Sequence, residues 1–285
     1  MEEKTTAKKI KRPKSLYKRL HEKKGFLLAE TIFLPVLLGV IICILWQTQI
    51  LHKILGADTF TLPLLSRIIR IFSENISEIL RNSGATLIVA GAGLVLGSLL
   101  GYGMAILGTF FPRMGKGGLS ILGAVASIPI VALAPVINNW TKSVSTDAFV
   151  RSMVAKTIVV MLIAGADMCL NAYRGLTELQ PYALDLMATF AAKKGKTLFK
   201  LRIPNSLPYV FTALKVSVPA SIMTAIVSEY FAEYIIGVGR QIRENIVLAQ
   251  YSTAWAYIVA ACIIGVIAYA LLMVLQSILL RKYSK

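Results

Sequence analysis

The sequence has few of the side chains that carry out acid–base or nucleophilic chemistry. Histidine occurs only twice, at His21 and His52, and both lie near the ends of apolar runs. The sequence shows no histidine-rich cluster and no nucleophile–base pair, so it gives little support to a membrane-embedded enzyme. We therefore expect no catalytic residue and no metal site. The three cysteines fall in or beside apolar runs and are predicted to be small buried hydrophobic residues: Cys43, Cys169 and Cys262.

A complete nucleotide-binding motif is also missing. Gly195-Lys196-Thr197 matches the end of a P-loop, but Phe190 occupies the position of its leading glycine, and the sequence predicts no strand before it. We therefore expect that this chain binds neither ATP nor another cofactor itself.

Acidic residues are scarce, since 14 Asp and Glu stand against 31 Lys and Arg, which gives a formal net charge of +17. Residues 1–25 hold ten basic and three acidic residues and are predicted to form a basic cytoplasmic arm. RNA binding by such a segment relies on interleaved aromatic residues, and Tyr17 is the only one in the arm. Attraction to anionic lipid headgroups is a sufficient explanation, so we expect membrane lipid rather than nucleic acid as its partner.

Apolar residues are abundant. They make up 56% of the 285 residues, and the mean hydropathy of +0.69 is too high for a soluble domain of this size. Several charge-free runs reach the roughly 20 residues that a helix needs to cross a bilayer. Two further runs carry charges, among them Lys156, Asp167 and Glu229, and are accepted as spans because interior charges can face protein rather than lipid.

These runs predict an all-α polytopic membrane protein whose single transmembrane domain covers residues 26–285. The six predicted transmembrane helices lie at about 26–51, 83–111, 117–141, 149–172, 209–231 and 252–280. An even number of spans places both termini on one side. With the N-terminus inside, 22 of the 31 Lys and Arg residues are cytoplasmic, as the positive-inside rule requires.

Local patterns refine this picture. Apolar residues recur at helical spacing between Leu62 and Leu80, which predicts an amphipathic helix along the outer surface. Gly93, Gly97 and Gly101 are spaced four apart and predict close approach of another helix.

A second group of residues points to a solute pathway. Two prolines bend the third span, a feature tolerated where a helix lines a cavity. Two carboxylates lie one helical turn apart near the outer end of the fifth span, where ionisable residues are functional candidates. Residues that we assign to the translocation path or its gate are Ser127, Pro129, Pro135, Asn138, Glu229 and Glu233.

The stretch from Pro181 to Pro208 is basic and amphipathic and lies between two spans, within a predicted cytoplasmic segment at 173–208. Its pattern predicts one helix that starts near Pro181 and ends at Gly195, and a second, short helix from Lys196 to Leu201. A loop that merely joined two spans would not need this pattern, so a docking partner is indicated.

This stretch resembles the cytoplasmic signature of the permease subunits of bacterial binding-protein-dependent ABC importers. The signature reads Glu-Ala-Ala, three residues, Gly, nine residues, Ile, one residue, Leu-Pro. It falls here on Asp185, Leu186, Met187, Ala191, Leu201, Ile203 and Pro204, with the spacing retained and only the proline identical. Because alanine replaces the signature glycine, we expect the helix to continue to Gly195. Other stretches, including SIPIVALAP and SLPYVFTALKV, are similar to the family in order and spacing.

The resemblance implies a type I ABC importer fold with a cytoplasmic coupling helix, in a bacterial cell membrane. It assigns ATPase coupling to Asp185, Leu186, Met187, Ala188, Ala191, Lys194, Gly195, Leu201, Ile203 and Pro204. Implied partners are two ATPase subunits that hold ATP and Mg, a second permease copy in a homodimer or heterodimer, and an external solute-binding protein. Implied substrates are riboflavin, a thiamine-precursor pyrimidine, or a sulfonate, taurine or nitrate. The alternative is an ATP-independent channel or secondary transporter, for which we see no inverted repeat.

Overall fold

The structure is a computed structural model that describes residues 24–111, 117–118, 123–124 and 127–280, with the backbone alone at 24–32 and at Leu280. Every regular element in these ranges is helical, and no strand occurs in them. The chain divides into two units, one that ends at Ser66 and one that begins at Arg67.

The first unit contains helix α1, Lys24–Gln47, and the short helix α2, Ile50–Leu55. Hydrogen bonds fold the segment after α2 back onto these helices. Trp46 Nε1 donates to Pro63 O at 2.9 Å, and the buried His52 has Nε2 2.6 Å from Leu62 O. Hydrogen bonds from the Thr61 hydroxyl and backbone N–H hold the pKa of Asp58, which lies in the turn, below its ordinary value.

Two helices follow without a long loop. Helix α3, Leu65–Glu74, confirms the predicted amphipathic helix over ten residues, while the part of the pattern from Ile76 onward belongs to the next helix. That helix, α4, covers Ile76–Phe110. Beyond the undescribed residues come α5, Ile130–Trp140, a 3₁₀ turn at Thr141–Ser143, and α6, Ala148–Thr177.

Four helical stretches within the described ranges are long and apolar enough to cross a membrane: Ile76–Phe110, Ala148–Thr177, Lys194–Tyr230 and Tyr251–Leu279. They correspond to four of the predicted spans. The first predicted span contains a shorter apolar helix, Phe33–Gln47. The third overlaps α5, and residues 119–122 and 125–126 in its first half lie outside the described residues, so the count of six stays a prediction.

The segment between α6 and the next span forms the short helix α7, Ala183–Thr189. This helix ends earlier than expected. Ala191 takes a left-handed conformation with φ 44°, and its N–H bonds Ala188 O while the Ala192 N–H bonds Met187 O. These two bonds form a Schellman motif, which offsets the roughly 1–2 kcal/mol that a left-handed alanine costs. The prediction that the helix continues to Gly195 was therefore wrong.

Gly195 lies instead in the helix that starts the fifth span. Helix α8, Lys194–Thr197, runs through a π-helical turn at Leu198–Arg202 into α9, Ile203–Tyr230. No separate second short helix forms, and the helical stretch begins at Lys194 rather than near residue 209. In a regular α-helix the ring of Pro204 would clash with the carbonyl four residues earlier, at Lys200. The wider π turn includes Lys200 and so relieves this clash. Helices α10, Val238–Val247, and α11, Tyr251–Leu280, complete the chain.

The glycine stripe of α4 packs directly on α6, as predicted. A Cβ atom on Gly97 would overlap Met161 O of α6, and one on Gly101 would overlap Gly165 O. Only residues without a side chain allow the two backbones this close.

Apolar packing continues at both ends of this contact. Near the carboxyl end of α6, Cys169 is buried as predicted, in a cluster with Ala105, Met168, Ala172, Leu176, Leu198 and Ala213. A second cluster joins α5 to the start of α6. Cys43 and Cys262 are exposed, contrary to prediction, because they lie on α1 and α11, whose apolar side chains point mostly outward as in lipid-facing helices.

Replacing Gly101 by alanine tests the α4–α6 contact. We expect Gly101→Ala to lower the free energy of unfolding by about 1–3 kcal/mol, because the added methyl overpacks the interface. The matched control is Gly103→Ala on the same helix, where a Cβ meets nothing within 4 Å. Thermal unfolding of both variants in detergent measures the difference, and equal midpoints would contradict the assignment.

Candidate functional site

The segment between α6 and α9 presents a surface that is both apolar and basic. Large apolar side chains are exposed at Tyr182, Leu184, Leu186, Phe190 and Phe199. Exposed lysines lie among them at Lys193, Lys194, Lys196 and Lys200. We call these nine residues the docking surface. Large apolar side chains exposed beside charged ones are typical of a protein-binding site.

The ten residues that the signature assigned to coupling divide into two groups. Six are exposed on the segment: Asp185, Leu186, Ala188, Ala191, Lys194 and Gly195. The other four are half-buried: Met187, Leu201, Ile203 and Pro204. Ile203 packs against the apolar cluster around Cys169 and so belongs to the fold. Sequence reasoning missed Phe190 and Phe199, although large aromatics in a basic polar segment were a usable signal.

Two side chains, one from the π-helical turn and one from the start of α9, cap the carboxyl end of α6. Arg202 Nη1 donates to Leu176 O at 2.9 Å, and Asn205 Nδ2 donates to Gly175 O at 2.7 Å and to Glu178 O at 3.0 Å. The last carbonyls of a helix have no partner within it, so these bonds satisfy groups that would otherwise be unpaired. These bonds join the end of α6 to the start of α9, the two helices between which the docking surface lies in the sequence.

A buried polar cluster lies at the opposite end of the same helices, where the first backbone N–H groups of α10 meet side chains of α4 and α9. Gly237 N donates to Asn82 Oδ1 at 3.0 Å, and Val238 N donates to Thr86 Oγ1 at 2.9 Å. Gly239 N and Thr86 Oγ1 both donate to Glu229 Oε2, each at 2.9 Å. The unpaired donors at the helix start are thus satisfied by three side chains.

Glu229 is fully buried, and so is Lys156, its cationic partner in electrostatic interaction. Lys156 Nζ also lies 3.5 Å from Ile236 O, just before α10. A buried carboxylate needs such compensation, which the lysine and the positive end of α10 provide. Gly237, with φ 103°, lets its backbone pass directly under the Glu229 carboxylate, where a Cβ would overlap it. Glu229 therefore anchors α10 to α4.

Glu233 has a different environment from Glu229. Helix α9 ends at Tyr230, so the two carboxylates are not one turn apart on one helix, as the sequence had suggested. The Glu233 side chain is 58% exposed and pairs with Arg151, whose Nη2 lies 3.2 and 3.1 Å from its two carboxylate oxygens.

Three of the predicted path residues come together around one polar pocket of about 460 Å³. Pro135, Asn138 and Glu233 line it, together with Asn139, Lys142, Arg151, Ser152 and Phe231. Pro129 forms the N-cap position of α5, and Ser127 lies in the turn before it, with its hydroxyl donating to Gly123 O at 2.8 Å. The role of these residues in a path stays a prediction. Sequence reasoning missed Lys142, which lies in the turn directly after α5, and Ser152, which lies on α6 and reaches the pocket only through packing.

Long apolar helices packed through glycine contacts, with an exposed basic segment between two of them, define a multi-pass membrane protein that offers a binding surface outside the membrane. The particular family follows from sequence comparison. A family model for the binding-protein-dependent transport system inner membrane component matches residues 93–285, and the chain belongs to this family. It is the non-catalytic permease component of an ABC importer in the inner membrane. This finding favours the importer over the ATP-independent channel or secondary transporter.

Individual relatives agree with the family. The chain is 25% identical over 251 residues to the formylaminopyrimidine transport permease protein ThiX of Halalkalibacterium halodurans, which covers 88% of this chain and 96% of that protein. It is 22% identical over 169 residues to the bicarbonate transport system permease protein CmpB of Synechococcus elongatus, covering 59% of this chain and 55% of that protein.

A solved structure shows the fold. A chain of the MetNI methionine ABC transporter, in an inward-facing conformation, aligns with a TM-score of 0.56 and 12% identity, over 70% of this chain and 96% of that chain. The described helices therefore have the type I ABC importer permease fold.

Removing the Thr86 hydroxyl tests the buried cluster. In Thr86→Val the Val238 N–H and the Glu229 carboxylate each lose a partner, so we expect the free energy of unfolding to fall by about 1–3 kcal/mol. The matched control is Thr212→Val, since the exposed Thr212 hydroxyl bonds only Pro208 O of its own helix. Thermal unfolding in detergent gives the comparison, and an unchanged midpoint for Thr86→Val would show that the cluster does not anchor α10.

Proposed function

We propose that this permease couples solute import to ATP hydrolysis by accepting an ATPase subunit on its docking surface. Two ATPase subunits would hold the ATP and Mg, and a second permease copy would complete the pathway. An external solute-binding protein would deliver the solute. The observation that carries the proposal is the exposure of Tyr182, Phe190 and Phe199 beside four lysines on the segment between α6 and α9.

The docking surface suits insertion into a groove. Phe190 is 71% exposed and follows the last turn of α7, so its ring projects from the segment as an anchor. Buried aromatic anchors supply most of the binding energy in protein interfaces, and surrounding charges set the orientation. The positive charge of the four lysines favours an acidic rim on the ATPase groove.

The fold supports a mechanical connection between the docking surface and the membrane helices. Arg202 and Asn205 join the end of α6 to the start of α9, and the glycine contact joins α6 to α4. Displacement of α7 by an ATPase would therefore move these helices as one body. Rigid-body motion of this kind is one of the known ways in which a transporter alternates between two open sides.

We also propose an orientation for the pathway. We place the termini and the docking surface in the cytoplasm, and the pocket with Asn138 and Glu233 at the opposite, external end. The substrate is proposed to be a small polar organic solute or anion. In support, the relatives bear the names of transporters for formylaminopyrimidine and for bicarbonate, which are both small and polar.

Co-purification and reconstitution test this function directly. The chain is expressed with its candidate ATPase and solute-binding protein, and uptake into proteoliposomes is measured with and without ATP. We expect the ATPase to co-purify with the chain and uptake to require ATP. Recovery of the chain without any ATPase, together with ATP-independent uptake, would overturn the proposal.

Substitutions at Ala191 separate coupling from backbone geometry. Ala191→Arg places a bulky cation on the exposed segment and is expected to reduce ATP-dependent uptake at least tenfold, as loss of about 1.4 kcal/mol of docking energy would. Ala191→Gly accepts the same left-handed φ without strain, so uptake is expected to persist. Normal uptake by Ala191→Arg would mean that this face contacts no ATPase.

Truncation of Phe190 tests the aromatic anchor. We expect Phe190→Ala to weaken ATPase binding by about 2 kcal/mol or more, the usual cost of removing a central aromatic from an interface. Phe33→Ala provides the control, because Phe33 is similarly exposed but lies on the apolar helix α1. Affinity is measured by titrating purified ATPase onto the permease in nanodiscs, and equal affinities for the two variants would rule out the anchor.

A further inference from the structure

The polar pocket at the end of α5 contains more hydrogen-bond donors than its own residues use. Ser152 is buried, with 3% of its surface exposed, and its hydroxyl has no hydrogen-bond partner. The Nε of Arg151 is likewise buried without a partner. Both residues line the pocket. Buried donors of this kind destabilise the protein unless something accepts a hydrogen bond from them.

The Arg151 guanidinium is held in a fixed position beside the pocket. Its Nη1 donates to Ser145 O at 3.0 Å and to Thr146 O at 2.9 Å, and its Nη2 donates to the Glu233 carboxylate. These bonds use the two terminal nitrogens and leave Nε for another acceptor. A guanidinium already fixed by protein loses little freedom when it binds a ligand.

The charges that line the pocket favour an anion. Lys142 and Arg151 are cationic and Glu233 is the one carboxylate in the lining, so the net charge is +1. Asn138 and Asn139 add amide groups, and the Asn138 amide donates to Phe231 O at 3.3 Å. The volume of about 460 Å³ lies in the range of small-molecule sites.

We propose that this pocket binds the oxyanion group, carboxylate, carbonate or sulfonate, of a small solute, with Ser152, Arg151 and Lys142 as its donors. The site would be the first on the permease to receive a solute from outside, and this location rests on the proposed function. An anionic lipid headgroup has the same chemistry, and the experiment separates the two sources.

The test measures the charge preference of the pocket without knowledge of the natural solute. Asn139 is exposed and lines the pocket, so it is replaced by cysteine to give a labelling site. In this Asn139→Cys variant the native cysteines at 43, 169 and 262 are replaced by alanine. Purified protein in neutral-lipid nanodiscs is labelled with the anionic reagent 2-sulfonatoethyl methanethiosulfonate. It is labelled in parallel with the cationic reagent 2-(trimethylammonio)ethyl methanethiosulfonate.

The ratio of anionic to cationic labelling rates is then compared among Lys142 variants. We expect Lys142→Gln to lower the ratio on the order of fivefold, since one nearby charge acts on the two reagents in opposite directions. Lys142→Arg keeps the charge and should keep the ratio. A ratio that does not change in Lys142→Gln would overturn the proposal.

Protection by soluble ligands identifies the source of the anion. Millimolar ethanesulfonate should slow labelling, and this protection should weaken in Ser152→Ala, whereas neutral 4-aminopyrimidine should not protect. Protection by phosphatidylglycerol in the nanodisc but not by ethanesulfonate would assign the pocket to lipid and overturn the solute site. The labelling measurements need no ATPase, so they can contradict the anion site while ATP-dependent uptake supports the proposed function. Equally, they can support the anion site while uptake contradicts the proposed function.

Discussion

The backbone contact between α4 and α6 positions both the docking surface and the buried Glu229 cluster. Gly97 and Gly101 bring the two helices so close that their carbonyl groups replace side chains as the packing surface. The contact runs along the middle of both helices, with the docking surface at one end and the buried Glu229 cluster at the other. Two distant sites are thus held at a fixed separation by a pair of helices that cannot approach or part without losing their packing.

Two helix ends in this protein are completed by side chains from elsewhere in the chain. Arg202 and Asn205 satisfy the last carbonyls of α6, and Thr86 and Glu229 satisfy the first N–H groups of α10. Away from water, an unpaired backbone group costs several kcal/mol, so such capping is needed near the membrane. The same bonds connect helices that are far apart in sequence, which makes them part of the tertiary structure.

Much of the fold could be predicted from local pattern, and much of the candidate site could not. Apolar runs located the membrane helices, and spacing alone identified the glycine contact. The turn at Ala191 was mispredicted because alanine disfavours a left-handed conformation, and only the two Schellman hydrogen bonds make it acceptable there. The partners of Glu229 could not be predicted from the sequence, since Thr86 and Lys156 lie on other helices and come close to Glu229 only through packing.

The π-helical turn at Leu198–Arg202 has a consequence for the orientation of the docking surface. A π turn contains one more residue than an α-helical turn, which rotates the preceding helix α8 by about 100° relative to an uninterrupted helix. Lys194 and Lys196 of the docking surface lie on α8. The one extra residue thus sets the direction in which these two lysines point relative to α9.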